Sequence, residues 1–155
     1  MELAWGKAQV QYAKLNNGTP GEFKAFPYSV EDSLQLNPTK GDKLEATIEG
    51  GEPEAVKYKR NKYDLVFEIR QGNEDGTPRK KPIEDEDGVI AGEYALKIRP
   101  EDPEVEGIQI DRCVLSCEDS FNTADGGRWR YTVDVLKPNA GNQIKWAKIS
   151  AIGAE

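Results

Sequence analysis

The sequence predicts an all-β fold: an antiparallel β-sandwich or barrel across residues 1–155, with a long charged loop and at most one short helix. Three observations predict it. Apolar and polar residues alternate with a period of two along several segments, so successive side chains face opposite sides of a strand. Glycine, asparagine and proline punctuate those segments at short intervals. No window keeps a 3.6-residue apolar period over three turns. A length of 155 residues suits one domain with one core.

The elements follow in order. Ala8 to Leu15 and Phe23 to Leu36 are weaker strand candidates, separated by the turn signal Asn17-Gly18. Leu44 to Glu49 alternates cleanly, Gly50-Gly51 turns the chain, and Glu54 to Lys59 returns it. In Lys62 to Arg70, Tyr63, Leu65, Phe67 and Ile69 share one face, with Lys62, Asp64, Glu68 and Arg70 on the other. Gln71 to Gly92 breaks the rhythm and predicts an extended loop. Tyr94 to Arg99 and Gly107 to Cys117 resume it. Pro100 to Glu106 has room for a short helix, limited by Pro100 and Pro103, or that helix falls within 71–92. After Asp125-Gly126-Gly127, Arg128 to Val135 sets two aromatics and two valines on one face. Gln143 to Ile152 closes the series.

Composition excludes several chemistries. There is no histidine, so no Ser-His-Asp triad, Cys-His pair or imidazole-bound zinc. The five serines sit in no Gly-x-Ser-x-Gly or Ser-x-x-Lys context. An enzyme is not expected, and neither is a cofactor. The net charge of −7 disfavours nucleic-acid binding, which needs cations against phosphate. No apolar run approaches the ~20 residues that span a membrane. Met1 to Lys7 lacks the basic and apolar stretches of a secretory signal, so a cytoplasmic origin is expected.

Three constellations have a structural and a functional interpretation. In the 71–92 loop, basic Arg79-Lys80-Lys81 precedes acidic Glu84-Asp85-Glu86-Asp87. The acidic run suggests a calcium or magnesium shell, but it lacks the alternate acids of an EF-hand, and a solvated loop is the expected outcome. Cys113 and Cys117, four residues apart on one strand, lie ~13 Å apart, too far for a disulfide, and read as free structural thiols. Trp129 shares a face with Tyr131, Val133 and Val135 and belongs to a core. Trp146 lies beside Ile144, and only Trp5 is expected to be exposed.

Thr39 to Gly51 leads into a strand and then a long charged loop. Later, Ala124 to Tyr131 leads to Leu136-Lys137-Pro138 and a last strand. In this layout and size the chain resembles the small tail-tube, or major tail, proteins of long-tailed bacteriophages and prophages. The resemblance implies a non-enzymatic structural subunit, made in the bacterial cytoplasm and incorporated in the virion tail. It implies homo-oligomeric rings, commonly hexameric, that stack into a tube and meet other tail proteins. It also implies that a long loop, here the 71–92 segment with Arg79, Lys80, Lys81, Glu84, Asp85, Glu86 and Asp87, reaches a neighbouring subunit or ring. On that basis, removing residues 74–87 leaves the sandwich folded and weakens stacking. The alternatives are a soluble ligand-binding β-sandwich, such as a carbohydrate-binding module with an exposed aromatic platform, and a small β-barrel hydrolase with convergent carboxylates.

Overall fold

Strand formation follows the period-two pattern, and burial alternates with it along residues 62–70 and 128–135 but not along residues 43–58, which are exposed throughout. The structure is a computed structural model that describes residues 1, 3, 6–30 and 32–150. The first strands are β1 (Gln9–Asn16), β2 (Thr19–Pro20), β3 (Lys24–Ala25) and β4 (Gln35–Thr39). A hairpin of β5 (Lys43–Thr47) and β6 (Pro53–Tyr58) precedes β7 (Lys62–Arg70). The short β8 (Asn73–Glu74) and β9 (Thr77–Pro78) follow. The chain continues through β10 (Tyr94–Arg99), β11 (Gly107–Asn122), β12 (Gly126–Val135) and β13 (Lys145–Ala147). All pairings are antiparallel, and no helix occurs among the described residues. None therefore is long and apolar enough to cross a membrane.

The main sheet runs β2-β1-β10-β11-β12-β7-β4, with β13 on β11 and β3 on β1. It curls on itself. Val10 of β1 and Leu65 of β7, distant in that order, belong to the same buried cluster. The segment after β3 makes the closure: Phe26 N–H donates to the Val10 carbonyl, and Val30 N–H donates to the Glu68 carbonyl. Residues 35–39 then pair with β7. Phe26 turns inward along the way, its ring centroid 4.5 Å from Tyr12, 5.0 Å from Phe67 and 5.3 Å from Tyr131. Phe67, Tyr131, Leu96, Ile110 and Val133 are fully buried around it.

Phe23 to Leu36 is thus not one strand. It is two short ones joined by a core plug, because Pro27 supplies no ladder donor and Asp32 adopts a left-handed φ of 59°. β11 outruns its expected end at Cys117, since its ladder with β12 continues to Asn122↔Gly126. The closing strand shrinks to three residues; Ala151 and Ile152, like Trp5, lie outside the described residues. Residues 100–106 form turns in place of the short helix.

Candidate functional site

Three regions carry more chemistry or more unpartnered surface than the sheet needs. The first is the 71–92 segment. Asp75-Gly76 and Asp87-Gly88 each have positive φ at both positions, the requirement of a type I′ hairpin turn. The second turn closes with reciprocal backbone bonds between Glu86 and Val89 of 2.9 and 3.1 Å. The acidic run is therefore half turn and half anchor. Asp85 points inward, its carboxylate accepting from the Gly88 amide and the Lys81 ammonium, both at 2.7 Å. Lys81 also pairs with Asp119 at 2.8 Å.

Asp85, Asp119 and Cys117 bring their ligand atoms within 4.8 Å of one another, the one such grouping among the described residues. The Lys81 ammonium bridges the two carboxylates, so their charge is already met by the chain. Hydrogen bonding to Lys81 holds the Asp85 carboxyl below the ordinary carboxylate range. The same contacts, Asp119 first, raise Lys81. Burial pushes the Cys117 thiol up to about 11 and Cys113 to about 12, which disfavours the reactive thiolate in both. Both cysteines are free and buried.

Further anchors fasten the segment to the core. Ile83 and Ile90 are buried. Tyr12 O–H donates to the Pro82 carbonyl at 3.1 Å, and Tyr131 O–H to the Ile83 carbonyl at 3.0 Å. Cys117 N–H donates to the Gly88 carbonyl. Arg79 donates to the Arg70 carbonyl at 3.0 Å, while Lys80, Glu84, Glu86 and Asp87 face solvent. Against the expectation that residues 74–87 can be removed without unfolding the sheet, the segment supplies a core side chain, Ile83, and the partner of a buried tyrosine hydroxyl.

The second region is the β5–β6 hairpin. Among the described residues these strands pair only with each other, and every residue in both is exposed. Leu44, Ala46 and Ile48 alternate onto one face, Val56 and Tyr58 onto the other. The hairpin is a free-standing arm. Its root is built: Asn61 Oδ1 accepts from the Gly41 amide, and Lys59 N–H donates to the Asp42 carbonyl. A Cβ at Gly41 would collide with the Lys59 carbonyl, so only glycine lets the strands meet there.

The third region is the end of the sheet beside that root. A cavity of about 720 Å³ opens there, floored by Leu36, Leu65, Ile98 and Ile108. Trp146, in register with Ile108, stands at its rim 59 % exposed. Tyr28 faces it, 51 % exposed, with the Lys7 ammonium 3.9 Å from its ring centre. The expectation that only Trp5 is exposed among the tryptophans is corrected by Trp146, which stands at the mouth of an open cavity. Trp129, by contrast, is buried as expected. Periodicity could not find this site, because it reports which face a residue shares and not whether anything covers that face.

Comparison with protein-family models and with curated proteins finds no match.

Proposed function

We propose that the chain is a structural subunit that assembles with copies of itself, in keeping with its resemblance to phage and prophage tail-tube proteins. One observation supports this above the others: the β5–β6 arm exposes Leu44, Ile48, Val56 and Tyr58 without core beneath them. An isolated two-stranded hairpin is marginal in water, and bare strand edges are hazards unless another chain uses them. The arm makes sense as half of an interface. A ring of such subunits, stacked with other tail proteins into a virion tail, is the assembly the resemblance supplies. No catalytic role is needed for it.

Replacing residues 43–58 with a short turn tests the proposal. The expected result is an unchanged melting curve and the loss of rings or tubes seen by negative-stain electron microscopy and sedimentation. Assembly at wild-type yield by the armless chain overturns it. A second reading, a ligand-binding β-module, is favoured by Trp146 and Tyr28 at the cavity rim, where an aromatic platform is wanted. Quenching or enhancement of tryptophan fluorescence by oligosaccharides in the wild-type chain, lost in Trp146→Ala, would support that reading.

A further inference from the structure

We infer that the free edge of β11 over residues 118–122 takes an extended, lysine-rich peptide segment of another protein as an added strand. This goes beyond the assembly reading, which needs neither this edge nor this partner.

Register shows that the edge is open. Leu136 N–H donates to the Arg112 carbonyl, so residue 112 directs its backbone bonding toward the β12 side. Antiparallel ladders alternate, and Cys113, Leu115, Cys117, Asp119 and Phe121 therefore aim their N–H and C=O groups away from β12. β10 meets that side only as far as Cys113. The 86–89 turn takes the next stretch, bridging Val89 to Ser116 and accepting the Cys117 amide at the Gly88 carbonyl. Past the turn, no described strand pairs with Asp119 or Phe121 on this side. Their amides and carbonyls are a ladder ready for a further strand.

Charge selects the partner. Residues 84–89 and 118–122 hold acids at positions 84, 85, 86, 87, 118 and 119, and no base. Asp85 and Asp119 are met by Lys81. Glu84, Glu86, Asp87 and Glu118 are exposed and make no ion pair among the described residues. Exposed Lys80, and Arg130 opposite Glu118 in the ladder, offset only part of that charge. Cationic side chains on an incoming strand complete the balance. A second copy does not supply them. Pairing this edge with itself would bring the same unpaired acids together, and the exposed segment 40–60 carries five acids and five bases.

Alternation then sets the pattern the partner must have. Phe121 shares the Cys117 face of β11 but lies beyond the core, 76 % exposed. Glu118 and Ser120 lie on the other face. A strand that alternates aliphatic and lysine side chains lays the first kind beside Phe121 and the second beside Glu118. Glu86 and Asp87 of the bordering turn add to the field that draws it in. Backbone bonds supply affinity, and the two faces supply selectivity.

The probe is a fluorescent hexapeptide of alternating lysine and valine, titrated into the full chain by anisotropy. The same peptide N-methylated at every residue keeps its charge and loses its ladder donors. The parent peptide is expected to bind wild type at least about tenfold more tightly than the methylated one. Phe121→Pro removes one outward amide and none that bonds β12, so it should weaken the parent about tenfold with melting unchanged. Phe121→Ala keeps that amide and should retain most of the affinity. The double variant Glu86→Lys, Glu118→Lys should also lose about tenfold. Equal binding of the two peptides to wild type means attraction to an acidic surface alone and overturns the inference. Failure of the parent to bind at millimolar concentration overturns it too. Self-association of wild type that Phe121→Pro abolishes would assign the edge to a second copy, overturning the inference while leaving the assembly reading standing.

Discussion

Two charged segments flank β7, and they behave in opposite ways. Residues 71–92 look unstructured in sequence, yet they are fastened to the core by Ile83, Ile90, two tyrosine hydroxyls and the Lys81–Asp85–Asp119 bridge. The 43–58 hairpin looks like two ordinary half-buried strands, yet no described residue covers either face. Polar composition therefore does not measure how firmly a segment is held. What decides is whether a few apolar side chains and backbone carbonyls find buried partners.

Exchanging deletions breaks the comparison most sharply. Loss of residues 74–87 is expected to cost more than about 5 kcal/mol, a large share of a typical domain's stability, and to abolish the cooperative urea transition. Removal of the arm leaves that transition in place. Point substitutions sharpen it: Ile83→Ala should lose about 2–4 kcal/mol by urea denaturation. Ile48→Ala should stay within about 0.5 kcal/mol, as at other exposed sites. An equal loss at both positions would mean that the arm is packed in solution.

Tyr131→Phe comes next, at about 1–2 kcal/mol, because the Ile83 carbonyl is left without its donor. The smallest effect is the dependence on pH. Folding lowers the Asp85 carboxyl, so its contribution is complete above the ordinary carboxylate value near ~3.9 and is lost as pH falls through the lowered value. Asp85→Asn should therefore flatten the acid limb of a stability–pH profile while leaving the slope between pH ~5 and ~8 unchanged. A limb as steep as wild type would remove Asp85 from the anchoring network.

Most strands were legible because alternation is a local property. Tyr63, Leu65, Phe67 and Ile69 predict β7, and Trp129 to Val135 predict β12, with the buried face correct in both. The structure of the charged loop was partly legible: Asp75-Gly76 and Asp87-Gly88 are hairpin signals as clear as Asn17-Gly18, masked by the charges around them. What alternation does not carry is the identity of the covering partner. Leu44 and Leu65 sit in equivalent patterns, and only the second is buried. Trp146 shows the same limit: it stands exposed at the rim of the cleft, where its pattern suggested cover.

β11 pairs with β10, β12 and β13, and the 86–89 turn also touches it. β1 waits longer for its main partner, since Gln9 pairs with Arg99. Such distant pairing makes folding slow, because chain-closure entropy is spent before contacts reward it. During synthesis residues 43–58 are complete before β10 to β13, the strands at the centre of the sheet's pairing, exist. A nascent chain would then carry the exposed Leu44, Ile48, Val56 and Tyr58 ahead of its body, so timing at the ribosome becomes a hazard that the chain must survive before its core closes.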